Sequence, residues 1–127
     1  MDRLGRIRAQ LTERGLDGLI IFRPENRRYM SGFTGSSGVL LVTQQDALLF
    51  TDFRYVEQAT AQAPKFTVLK HAQVMWDSVA EHTGGLSTLG FEQDFVSFEL
   101  HELLTKKFPG CKLVPASGIV ETLRSIK

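Results

Sequence analysis

The densest run of glycine in the chain is Gly32-Phe33-Thr34-Gly35-Ser36-Ser37-Gly38, and it also carries three hydroxyl side chains. Glycines in a loop permit tight turns and the close approach of backbone to another group. A dinucleotide site needs G-x-G-x-x-G between a strand and a helix, and a P-loop needs its lysine. Here the glycines recur at every third position, the apolar run Val39–Thr43 follows, and no lysine is placed to serve. The segment is therefore a structural turn, or a loop that brings backbone and hydroxyls against a ligand or another chain. The G-x-S-x-G nucleophile elbow is not formed either, because Gly35-Ser36-Ser37-Gly38 places no glycine two residues on both sides of one serine.

Other reactive side chains give partial patterns. His101-Glu102-Leu103-Leu104-Thr105 starts like a zinc-binding H-E-x-x-H helix, but position 105 is threonine. His71 and His82 stand alone and read, like His101, as surface histidines. Cys111 has no neighbouring base and reads as a buried hydrophobe. Carboxylates occur at Asp17, Asp46, Asp52, Glu92 and Asp94. Asp52 and Arg54 sit two apart at a strand-to-helix junction, which suits a helix cap with a local ion pair. Alternatively Arg54, at a strand's carboxyl end, points into a cleft and grips a carboxylate through its planar fork. These residues yield no complete catalytic set, and none of them forms a metal-ligand cluster.

The elements that must carry these residues fit one domain of 127 residues. Composition is that of an ordinary globular chain, 43% hydrophobic and 23% charged. The net charge of +1 lacks the basic excess of a nucleic-acid binder, although seven of the nine arginines precede residue 29. A single cysteine excludes an internal disulfide framework and fits a reducing compartment. The charged N-terminus does not suit a signal peptide. The apolar runs Leu19–Phe22 and Val39–Val42 fall far short of the ~20 residues of a membrane span. The expectation is a soluble, cytoplasmic protein with neither nucleic-acid nor membrane partner.

Leu4, Ile7 and Leu11 predict a helix over 3–14, capped by Asp2 and stopped by Gly15. Leu16–Phe22 reads as a buried strand. Arg23–Met30 is polar, contains Pro24, and reads as a loop or a single helical turn. Val39–Thr43 and Ala47–Thr51 form an antiparallel hairpin, because Gln44-Gln45-Asp46 is too short for anything else. Asp52 caps a helix carrying Tyr55, Val56, Ala59 and Ala63 that ends at Pro64. Strands follow at Phe66–Lys70, Thr88–Glu92 and Lys112–Pro115. Helices are predicted at Val74–His82, after Ser97 with Leu100, Leu103, Leu104 and Phe108 inward, and at Glu121–Lys127. Strands alternating with helices after an initial hairpin give an α/β fold, a mixed six-stranded sheet with helices on both faces. The last segment carries no stop signal, which suggests a piece of something longer, although a frayed terminal helix gives the same pattern.

Two stretches are more specific. Asn26-Arg27-Arg28-Tyr29-Met30-Ser31-Gly32-Phe33-Thr34-Gly35-Ser36 and Leu49-Phe50-Thr51-Asp52-Phe53-Arg54-Tyr55-Val56-Glu57-Gln58-Ala59 together resemble the N-terminal domain of Xaa-Pro aminopeptidases and Xaa-Pro dipeptidases (prolidases). Leu16-Asp17-Gly18-Leu19-Ile20, Leu89-Gly90-Phe91-Glu92 and Glu121–Lys127 extend the resemblance to this creatinase/prolidase N-terminal domain over essentially the whole chain.

The resemblance implies a three-layer αβα domain with a ribonuclease-H-like motif, spanning residues 1–127. In such enzymes it precedes a pita-bread metallopeptidase domain, which holds two divalent metal ions (Mn, Co or Zn) on two Asp, one His and two Glu. That domain is absent from this chain, so the resemblance implies no catalytic residue, no metal ligand and no turnover here. The implied partners are the chain's own C-terminal catalytic domain, a second subunit and a proline-containing peptide. The implied role is oligomerisation and shaping of a neighbour's substrate site, with Phe33, Thr34, Gly35, Ser36, Ser37 and Arg54 next to substrate and Phe33 packing on the proline ring. The loop has no arginine to match the one creatinase uses, so proline peptides fit better than creatine. Thr34 stands where some aminopeptidases carry an acid, which leaves aminopeptidase and dipeptidase both open. A stand-alone binding or dimerisation module is the second reading.

Overall fold

The computed structural model describes residues 2–125. Helix α1 (Arg3–Arg14) is capped by Asp2, whose side chain accepts from Gly5 N, and it ends on Gly15 in the left-handed region at φ 69°. Strand β1 (Gly18–Ile21) is buried along its whole length. Helix α2 (Pro24–Ser31) follows, then the hairpin β2 (Val39–Thr43) and β3 (Ala47–Thr51). Asp52 caps a 3-10 turn, Phe53–Tyr55, which runs into α3 (Val56–Gln62). The remainder alternates: β4 (Thr67–Lys70), α4 (Met75–Ala80), β5 (Thr88–Phe91), α5 (Phe98–Lys107), β6 (Lys112–Pro115) and α6 (Ile119–Arg124).

The six strands form one mixed sheet in the order β4-β3-β2-β1-β5-β6. β2 is antiparallel to β1 and β3, while β1–β5, β3–β4 and β5–β6 are parallel. Successive side chains of a strand face opposite sides. Leu19, Ile21, Leu40 and Val42 therefore pack under α1, α2, α3 and α6, with Ile7, Leu11, Ala59 and Leu123. Ile20, Leu41, Leu48 and Phe50 pack on the other face, under α4 and α5, with Val79 and Leu104. The α/β class and the helix-covered mixed sheet agree with the expectation.

Three details differ. Arg23–Met30 is not a loop or single turn: α2 has eight residues, with Pro24 at its start, where its missing N–H is no loss. Leu103 turns outward, and α5 buries only Leu104 fully. The last helix begins earlier than expected, at Ile119, after Gly118 at φ 102°; its expected end at Ile126 and Lys127 lies outside the described residues.

Candidate functional site at the carboxyl rim of the sheet

The topology brings the sequence-singled residues to one rim. β1, β3, β4, β5 and β6 all end there and β2 begins there, since Ile21 lies opposite Leu40 and Val39 opposite Phe50. Carboxyl ends of strands are where open α/β sheets present ligand-binding groups. The glycine loop, Asp52, Arg54, Glu92 and Asp94 all sit at this end. Helix α2 runs across it, and two consecutive α2 residues tie its two halves together.

Asn26 serves the first half. It is fully buried, and its Nδ2 donates to Glu92 Oε2 at 2.5 Å and to Glu121 Oε2 at 3.1 Å. Glu92 is 2% exposed, and its Oε1 accepts from the backbone N–H groups of Phe22 (2.6 Å) and Arg23 (2.9 Å). A buried carboxylate thus occupies the N-terminal end of α2, where N–H groups lack helical partners. Around it, Arg23 reaches Asp94 at 3.1 Å, and Asp94 accepts from the Ser117 hydroxyl at 2.6 Å. That hydroxyl, and then Arg23, hold the Asp94 carboxyl below the ordinary carboxylate range.

Arg27 serves the second half. It is 6% exposed, and its guanidinium donates to the carbonyls of Gly38 (2.8 Å) and Gly35 (2.7 Å). The Ser31 hydroxyl donates to the Arg27 carbonyl and accepts from Phe33 N. Thr34 N donates to Gln62 Oε1, and Thr51 Oγ1 donates to the Ser37 carbonyl. Ser36 Oγ and the Tyr55 hydroxyl share a hydrogen bond of 2.7 Å.

The glycines of this loop wrap an internal aromatic ring. A Cβ on Gly35 would stand 2.2 Å from Cζ of Phe33, and one on Gly38 would stand 3.1 Å from Cε2 of the same ring. Gly32, at φ 89°, leaves no room for a side chain beneath the Gln62 carbonyl. Phe33 itself is 1% exposed, edge-on to Tyr55. The expectation that its ring packs on a proline ring meets a correction, because the loop folds over the ring to bury it. Thr34 and Ser36 face outward instead, along a cleft of about 430 Å³ shared with Arg28 of α2. A second hollow of about 480 Å³ lies between the first turn of α1 and Pro64-Lys65, and the end of α2 from Tyr29 to Ser31 and Gly32 of the loop also line it.

Arg54 forms the local ion pair. Its backbone N–H and Nε both donate to Asp52 Oδ1, and Nη2 donates to Oδ2 at 2.9 Å. Its guanidinium holds Asp52 below the usual carboxylate range, and Asp52 in turn raises Arg54. The Arg54 side chain stays largely exposed and stands over the Tyr55 ring. Cys111 is half-buried rather than sealed, and burial pushes its thiol up. His71 bonds the neighbouring Ala72 carbonyl, and His82 lies against Phe50. Among the described residues no group of three or more His, Cys, Asp or Glu could hold a metal ion. Those residues do not fit a metal centre. No helix among them is long and apolar enough to cross a membrane.

Reading motifs by residue type missed Asn26 and Arg27 as anchors of the rim. The family-like stretch contains both, and the structure supplies their physical reason.

The chain is 35% identical over 127 residues to the Uncharacterized peptidase YqhT of Bacillus subtilis, covering 98% of this chain and 36% of that protein. It superimposes on the Xaa-Pro dipeptidase from Bacillus anthracis with a TM-score of 0.93 at 39% identity, over 98% of this chain and 35% of that one. It matches the N-terminal domain of the cytoplasmic peptidase PepQ from Mycobacterium tuberculosis with a TM-score of 0.88 at 39% identity, over 96% and 98% of the two chains. The chain thus spans about a third of the full-length relatives and nearly all of the isolated domain. Residues 3–126 match the Creatinase/Prolidase N-terminal domain, and the chain belongs to that family.

Proposed function

We propose that this chain is the non-catalytic N-terminal domain of a metal-dependent Xaa-Pro peptidase, an aminopeptidase or dipeptidase that cleaves the bond before proline. Its catalytic partner is a C-terminal metallopeptidase domain that carries the divalent ions. The N-terminal domain serves oligomerisation and forms a wall of the substrate site of a neighbouring subunit. The loop of Phe33, Thr34, Gly35, Ser36 and Ser37 stands beside that site, with Arg54 at its flank. Phe33 acts from inside, as the support on which the loop is moulded. Thr34 and Ser36 offer hydroxyls to a peptide backbone. Location in the cytoplasm accords with the relative named as a cytoplasmic peptidase.

The observation that carries this reading is the loop at the carboxyl rim, pinned from beneath by Arg27 and presenting small hydroxyl residues outward. The experiment is hydrolysis of Xaa-Pro dipeptides by the chain alone, and by the chain joined to a catalytic domain of the family, each with Mn²⁺. No turnover alone is expected. In the joined protein, Thr34→Ala with Ser36→Ala should lower kcat/KM by about tenfold, within the range of one pocket contact. Turnover by the chain alone, or unchanged kinetics in the double variant, overturns the reading.

A further inference from the structure

We propose that Arg27 is the positioning residue of the 32–38 loop, holding in one shape the surface that the loop presents to a proline-containing peptide. The link to a peptide rests on the function proposed above; the link to the loop rests on geometry alone.

Among the described residues, the backbone from Thr34 to Ser37 makes no backbone–backbone hydrogen bond. The loop is held by side chains. Gln62 takes Thr34 N, Thr51 takes the Ser37 carbonyl, and Ser31 takes Phe33 N. Each of these touches the loop backbone once. Arg27 touches it twice, at carbonyls three residues apart, and with a charged donor. Charge-assisted hydrogen bonds are about twice as strong as neutral ones. The guanidinium also stands 5.9 Å from the centroid of the Phe33 ring, around which Gly35 and Gly38 are wrapped. Ring and fork together leave the loop little freedom from inside.

The charge has no other destination. No carboxylate among the described residues pairs with Arg27; Glu25 influences it only at longer range, and burial outweighs that influence. Its Nε is buried without a partner, so the two Nη groups carry the whole interaction. A lysine in the same place keeps the charge but lacks the planar fork, and its single nitrogen cannot meet the two carbonyls in the geometry that two separate Nη groups provide. Arg27 is 6% exposed at the base of the cleft, and both bonds of its guanidinium go to the loop, so its effect on a peptide passes through the loop.

The test begins with the unaltered chain, by nuclear magnetic resonance. The Arg27 Nη protons should give separate, slowly exchanging resonances, and one averaged signal overturns the proposal. The two α-protons of Gly35 should also be split by the Phe33 ring current. In Arg27→Lys that splitting should fall by half or more while the β1–β3 resonances stay in place. If Arg27→Lys does not fold, the guanidinium resonances of the unaltered chain still decide. In a protein that carries a catalytic domain, Arg27→Lys should lower kcat/KM for Xaa-Pro dipeptides by about tenfold or more, as displaced contacts do. Loss should appear chiefly in KM, and Thr51→Val, which removes a single tie, should lose less. Retained Gly35 splitting in Arg27→Lys overturns the positioning role whatever the kinetics. Lost splitting with unchanged kinetics leaves the clamp standing and overturns the placement of the loop beside a substrate.

Discussion

Asn26 and Glu92 lie 66 residues apart in the chain, yet the amide of one donates to the carboxylate of the other at 2.5 Å in a fully enclosed site. The contact joins the first turn of α2 to the end of β5, and Glu121 of α6 shares the same amide nitrogen. Three elements from distant parts of the sequence are thereby fixed at one corner of the sheet.

Replacing Glu92 with Gln keeps the shape but removes the charge and turns an N–H₂ toward groups that are already donors. Breaking a buried, charge-assisted set of this kind costs about 2–4 kcal/mol. Urea unfolding should show that loss. Glu121→Gln, at a partly exposed carboxylate with the longer bond, should cost under about 1 kcal/mol. Equal losses at the two positions would show that burial does not set the difference.

Phe33→Ala should behave as a core truncation, destabilising the chain by about 3–5 kcal/mol. The ring is enclosed, so the cavity left behind lies directly under the glycine loop. Thermal melting decides: a shift of only a degree or two means the ring is not part of the core.

Gly35→Ala and Gly84→Ala form a matched pair. The first drives a methyl into the Phe33 ring and should cost about 1–3 kcal/mol. The second meets nothing within 4 Å and has no left-handed φ, so it should be neutral or stabilising by about 0.4–1 kcal/mol. Chemical denaturation of both variants checks the sign of each.

Stability should be flat in pH through neutrality and fall in acid. Asp2, Asp17, Asp52 and Asp94 are all held below the ordinary value of 3.8, by the Gly5 N–H, the Ser87 and Thr88 N–H groups, Arg54, and the Ser117 hydroxyl respectively. A depressed folded-state pKa gives stability that is complete above the unfolded value and lost as pH falls through the folded one. Melting temperature measured between pH 7 and pH 2 should therefore hold to about pH 5 and decline below pH 4. A transition centred above pH 5 would show that other groups govern it.

Arg54→Lys should leave melting within about two degrees of the parent, because the pair with Asp52 is exposed and a lysine keeps its charge. Joined to a catalytic domain, the same variant should lose kcat/KM if the planar fork meets a peptide carboxylate. Unchanged kinetics would confine Arg54 to its bond with Asp52.

Local patterning carried the first helix and the hairpin into view, since Leu4, Ile7 and Leu11 repeat at helical spacing and Gln44-Gln45-Asp46 permits only a tight reversal. Helix α2 escaped for a physical reason. Its inward face is Asn26, Arg27, Met30 and Ser31, so polar residues occupy positions where apolar periodicity would announce a helix. The glycine loop was recognisable as a place of close approach, but Phe33 beneath it was not, because an aromatic residue in a loop looks the same whether it faces in or out. The Asn26–Glu92 bond left no local trace at all, each residue lying in a different element. Arg54 showed both of its readings in sequence, and the geometry establishes the bond to Asp52.

The strand order has a consequence for how the chain assembles. Residues up to Lys70 contain β1 to β4, four neighbouring strands whose contacts are made between segments close in sequence. Within the sheet, the second piece, β5 and β6, joins them along β1, through the pairs Gly18–Leu89 and Leu19–Gly90, while α6 packs on α1 and α2. Bonds across that line, such as Asp17 to Thr88, close a separation of 71 residues, and long closures slow folding. The line between β1 and β5 is thus the long-range junction of the sheet, where two pieces distant in sequence meet. Asn26 and Glu92 are its rivet, joining the two pieces at the carboxyl end of the sheet.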